Sequence, residues 1–102
     1  MALVALSAET ITVSTTAIGP TASKVTNKVI SASFSHRSGG KLFHLTHAAP
    51  VAAGGNGEFG QTISDMWEIW GNDNIKNFKM IRQTGEATDA SIDIQYWGEG
   101  TT

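Results

Sequence analysis

His44 and His47 sit three residues apart in His44-Leu45-Thr46-His47, and His36 is close enough in sequence to face them from a paired strand. Imidazoles gathered in this way are the raw material of a zinc site, so metal binding is the first chemistry to weigh. On a strand, however, a spacing of three sends the two rings to opposite faces, and neither an H-E-x-x-H setting nor any Cys accompanies them. They read as ordinary surface histidines, and no metal is expected. Glu58, Asp65 and Glu68 form the nearest carboxylate set, and glycoside hydrolysis needs two such groups in a cleft. A chain of 102 residues has little room for a deep cleft, and no G-x-S-x-G elbow or similar framework is present. Gly55-Asn56-Gly57-Glu58-Phe59-Gly60 fits G-x-G-x-x-G in letters, but no helix pattern follows to receive a pyrophosphate at its N-terminus. It reads as a glycine-supplied turn. No catalytic residue and no cofactor is expected.

The tryptophans carry the sharpest signal. Trp67 shares a strand face with Ile69 and belongs to the core by alternation, whereas Trp70 falls on the opposite face with Met66. Trp97 points away from Tyr96 and so also lies outward. Two outward indoles in one small domain suit a partner interface or a stacking platform for sugars. Leu3, Val4 and Leu6 add an apolar N-terminal stretch that must join its own sheet or reach a neighbouring subunit. Leu3, Val4, Leu6, Trp70 and Trp97 are therefore the candidate contact residues.

The elements that would position these residues are strands. Only 16% of the residues are charged, glycine is frequent, and apolar and polar residues alternate in several windows. In Val29-Ile30-Ser31-Ala32-Ser33-Phe34-Ser35, the residues Ile30, Ala32 and Phe34 share one face. Lys41-Leu42-Phe43-His44-Leu45 follows a Ser38-Gly39-Gly40 turn signal, which predicts a hairpin with the preceding strand. Met66-Trp67-Glu68-Ile69-Trp70 ends at Gly71-Asn72-Asp73-Asn74. Residues 78–82 and 91–97 are separated by a short polar loop, and a second hairpin is predicted there. Residues 9–14 make a sixth strand, and residues 47–61 read as one long loop. The fold class is all-β, an antiparallel β-sandwich or small, jelly-roll-like barrel. Residues 1–8 form an N-terminal arm or edge strand, and residues 9–102 a single β domain.

Charge narrows the partners. The formal charge is −2, and the seven Lys/Arg are scattered from Lys24 to Arg82 without a run, which disfavours nucleic acid. The absence of Cys leaves no disulfide framework and leaves the redox compartment open. The apolar start lacks a basic flank and is far short of a membrane span, so neither a signal peptide nor a membrane anchor is expected.

Taken in order, Thr15-Thr16-Ala17-Ile18-Gly19-Pro20-Thr21, Ala32-x-Phe34, Trp67-Glu68-Ile69-x-Gly71, Ile75-x-x-Phe78-x-x-Ile81-Arg82 and Ile92-x-Ile94-x-Tyr96 resemble small structural proteins of tailed bacteriophages. The resemblance covers residues 9–97. It departs at Ala49-Pro50-Val51-Ala52-Ala53-Gly54-Gly55, where such chains tend to carry a compact Pro-Thr turn. The resemblance implies a non-catalytic capsid decoration (cement) protein on the capsid surface of the virion. It would bind the major capsid protein and assemble with itself, as a homotrimer or another small oligomer. The alternatives are a carbohydrate- or receptor-binding module that uses Trp70 and Trp97, and a neck or tail structural protein.

Overall fold

The computed structural model describes residues 3–100, so Met1 and Ala2 of the expected arm lie outside the described residues. The chain forms β1 (Leu3–Val13), β2 (Val29–Ser38), β3 (Leu42–Leu45), β4 (Phe59–Gln61), β5 (Met66–Trp70), a short helix α1 (Asn72–Asn77), β6 (Lys79–Arg82) and β7 (Ala90–Glu99). A four-stranded sheet with the order β1-β7-β2-β5 packs on a three-stranded sheet with the order β4-β3-β6. All the strand pairings are antiparallel. The architecture is sandwich-like.

Alternation explains the core. In β7 every second residue from Ala90 through Ile92 and Ile94 to Tyr96 is buried, and Ile11 and Val13 of β1 and Ala32 and Phe34 of β2 share that inner face. Leu42 and Met80 close over them from the other sheet, and Phe78 from the junction between α1 and β6. Removing each large apolar side chain from water contributes about 1.5–3 kcal/mol. The ring of Phe34 lies between those of Trp67 and Phe78, with centroids 5.2 and 4.8 Å away.

Residues 72–77 are helical where the sequence suggested only a turn. The helix begins after Gly71, whose φ of 96° suits a residue without Cβ, and it buries Ile75 completely. Asn72 Nδ2 donates to the carbonyls of Thr26 and Val29, both at 2.8 Å, and so ties the helix to the start of β2.

The two predicted hairpins do not form. β2 pairs with β7 and β5, whereas β3 pairs with β4 and β6, so the chain crosses between the sheets at Ser38-Gly39-Gly40. Gly39 has a φ of 92°, and a Cβ there would stand 1.9 Å from the Asp89 carbonyl oxygen, so only glycine allows this corner. The second expected hairpin fails for the same reason: β6 stays in the smaller sheet and β7 enters the larger one. The loop at residues 47–61 is also shorter than expected, because its last residues form β4 at the edge beside β3.

The N-terminal stretch is an edge strand of its own sheet. Pairing with β7 runs from Leu3 opposite Glu99 to Val13 opposite Ala90, with a register shift at Leu6. The segment assigned to an arm and the strand predicted at residues 9–14 are thus parts of one element.

Candidate functional site

Strand order brings the two outward indoles together. Ser31 of β2 lies opposite Trp97 of β7 on one side and opposite Trp70 of β5 on the other, while Ala5 of β1 pairs with Trp97. Directly paired residues share a sheet face, so Ala5, Trp97, Ser31 and Trp70 form one row across the outer face of the larger sheet. Ser31 is only 2% exposed despite facing outward, because large side chains flank it on both sides. The two tryptophan backbones are two strand spacings apart, roughly 10 Å.

Both ring nitrogens are satisfied on the sheet surface. Trp97 Nε1 donates to Ser33 Oγ at 3.1 Å, and Trp70 Nε1 donates to Glu68 Oε2 at 3.2 Å. Trp70 remains 54% exposed, as its outward position predicts. Trp97 lies on the expected face but is half-buried, because its ring reaches across to β2.

The rows beyond carry small and polar side chains. Ala8, Gln95, Ser33 and Glu68 form the next row, followed by Thr10, Asp93, Ser35 and Met66. All of these except Glu68 line a shallow trough of about 470 Å³. Hydrogen bonds from the Thr10 hydroxyl and the Arg37 guanidinium hold the Asp93 carboxyl below its usual range and outweigh the opposing effect of burial. Met66 is 77% exposed at the trough's edge. Sequence reasoning placed Met66 outward but gave no weight to the small-residue lane of β1 and β2 beside it. Alternation marks the β2 serines as outward, yet strand order is needed to see that Ser31 lies between the tryptophans and that Ser33 and Ser35 continue the lane beside them.

The other contact candidates lie on β1. Leu3 is half-buried, and Val4 and Leu6 are 42% and 38% exposed. Val4 lies opposite Gly98, where the Leu6 side chain also reaches, so the apolar stretch partly covers the end of its own sheet and leaves the remainder in water.

Of the three histidines only His47 is exposed as expected; His36 and His44 are both buried, on different sheets. His36 Nε2 donates to the Gly40 carbonyl at 2.7 Å, inside the sheet-crossing corner. The His44 ring stacks on Trp67 with centroids 5.2 Å apart, and Gln61 Nε2 donates to its Nε2 at 3.1 Å. Burial lowers the His44 pKa to about 4, so the ring is neutral at neutral pH. An aromatic wall on both sides accommodates imidazole as a planar apolar group, which polarity-based assignment missed.

Among the described residues, no group of three His, Asp or Glu side chains stands where it could hold a metal ion. The glycine-rich segment is a loop fastened by Glu58, whose carboxylate accepts from the backbone N–H groups of Val51 and Asn56 at 2.9 and 2.7 Å. Strand β4 follows it, where a dinucleotide fingerprint would need a helix. No helix among the described residues is long and apolar enough to cross a membrane. Chemically, the outer face can stack planar or apolar groups and exchange hydrogen bonds with hydroxyls. No family model, curated protein or solved structure matches the chain.

Proposed function

We propose that this chain is a non-catalytic decoration protein of a tailed-phage head, bound to the major capsid protein and to copies of itself. The observation that carries this reading is the free edge of β1. It is eleven residues long, its only charged side chain is Glu9, and Val4 and Leu6 stand partly in water beside it. Soluble proteins usually blunt such edges with lysine, proline or a covering loop, and an edge left open is a template for another chain. A cement protein uses such surfaces to cover the joints between shell subunits, where each bound copy stabilises the assembled state by mass action.

The strand order supports a finer reading of the fold as a jelly roll. An isolated bridge joins Ile18 to Met80 beside β6, and counting it as a one-residue strand supplies the member missing from the three-stranded sheet. Eight-stranded jelly rolls recur in viral capsid and lectin domains, although a fold alone assigns no function.

Quantitative mass spectrometry of virions made by the genome that encodes this chain tests the proposal. The chain is expected in fixed proportion to the major capsid protein, and its solution mass is expected to be that of a homotrimer. Virions that lack the chain overturn the reading.

A further inference from the structure

We infer that the outer face of the β1-β7-β2-β5 sheet is a binding platform for neutral, extended oligosaccharides, with Trp97 and Trp70 as stacking surfaces. This goes beyond capsid attachment and uses a different surface from the β1 edge. Four observations support it. Trp97 and Trp70 lie in one row on either side of Ser31, with their backbones two strand spacings apart and the Trp97 ring reaching over β2 toward Trp70. Each indole N–H is already bonded to a residue of the neighbouring row, Ser33 or Glu68, so the rings are oriented along the sheet before any ligand arrives. A preoriented ring loses little freedom on binding.

The chemistry of the adjoining trough is the third observation. Ser33, Ser35, Gln95, Thr10 and Asp93 present hydroxyl, amide and carboxylate groups over about 470 Å³, next to an apolar floor. Sugars need this pairing: an apolar ring face to stack on an aromatic, and hydroxyls to exchange hydrogen bonds at the rim. A protein hot spot is instead expected to be a fully desolvated pocket, whereas this trough is shallow and open to water. The fourth observation is charge. Glu68 beside Trp70 opposes an anionic polymer, and Asp93 in the trough is balanced by its ion pair with Arg37, so the face offers no excess of cations to hold one.

The test is retention of the full chain in native affinity gels cast with soluble neutral glycans (glucans, mannan and a soluble chitin oligomer mixture) and, as a control, an anionic polysaccharide. Retention by at least one neutral glycan is expected, with quenching of tryptophan fluorescence. Trp70→Ala, at an exposed position, should weaken that retention tenfold or more. Trp97→Phe, which keeps a ring but loses the bond to Ser33, should weaken it less than Trp70→Ala does. Circular dichroism shows whether each variant is folded; should Trp97→Phe fail to fold, Gln95→Ala takes its place, with several-fold weakening expected. The inference is overturned by the absence of neutral-glycan retention, by retention of the anionic polymer alone, or by retention that Trp70→Ala leaves unchanged. Loss of capsid attachment in Trp70→Ala without any glycan binding would assign the face to a protein partner instead.

Discussion

The Tyr96 hydroxyl donates to the Glu9 carboxylate at 2.5 Å, joining β7 to the edge strand β1 on the inner side of the larger sheet. Thr21 completes the arrangement, its hydroxyl donating to the other carboxylate oxygen at 2.5 Å and its backbone N–H to the same oxygen as Tyr96 at 3.1 Å. Glu9 thus fixes the edge strand both to its neighbour and to the loop that leads into β2.

Tyr96→Phe should therefore destabilise the fold by about 1–3 kcal/mol in chemical denaturation, since a partly buried carboxylate loses a charge-assisted bond. Burial pushes the Glu9 carboxyl up, but the bonds from Thr21 and Tyr96 outweigh it and leave the pKa below its usual value. Glu9 thus contributes stability that is present above its ordinary pKa and is lost as pH falls through the depressed folded value. That acid loss should be shallower in Tyr96→Phe. An unchanged acid limb would contradict this role for Glu9.

His44 predicts a second pH effect. Above pH 6.5 the ring is neutral in both the folded and unfolded states. Between 6.5 and about 4 the unfolded chain takes up a proton that the buried ring refuses, so stability falls as pH falls. Below about 4 both states are protonated and the loss stops, having reached about 3 kcal/mol. His44→Phe keeps a ring against Trp67 and should flatten the stability profile between pH 7 and 4, as measured by urea midpoints. A profile as steep as that of the parent would rule His44 out as its source.

Gly98→Ala probes the docking of the N-terminal stretch. A Cβ at this position would lie 2.4 Å from Leu6 Cδ1 and 2.4 Å from the Lys28 carbonyl oxygen. The leucine can move aside but the backbone carbonyl cannot, so a loss of about 1–3 kcal/mol is expected. Amide exchange across residues 3–6 should also quicken. Unaltered exchange there would mean that Leu6 does not hold the strand.

The inside and outside faces of the strands were readable in the sequence except at Ile30, where a register shift in β2 buries Val29 instead, but the strand partners were not. Alternation places Ile92, Ile94 and Tyr96 inward and Trp70 and Trp97 outward, because a period of two follows directly from strand geometry. It says nothing about which strand lies alongside. Ser38-Gly39-Gly40 looks the same in sequence whether the chain folds back as a hairpin or turns a corner into the second sheet, and only tertiary packing chose the corner. The row from Trp97 through Ser31 to Trp70 was hidden for that reason, since it depends on β2 lying between β7 and β5. The Leu6 register shift broke the alternation at the start of β1 and masked its continuity. His44 was misplaced because its residue type outweighed its position, two residues after the buried Leu42.

Charge on the β1 edge should block self-assembly. Val4→Lys and Leu6→Lys each place a cation where the strand would meet another chain. Light scattering should show an oligomer for the parent and a monomer for each variant. Variants that keep the parent's mass would move the self-contact away from β1.

The most direct measurement adds purified protein to phage heads assembled without it and follows both binding and the temperature of head disruption. Saturable binding in a fixed ratio to the major capsid protein, with a higher disruption temperature that Leu6→Lys fails to confer, is the predicted result. Heads that bind none of the chain, or bind it with no gain in heat resistance, would contradict the account.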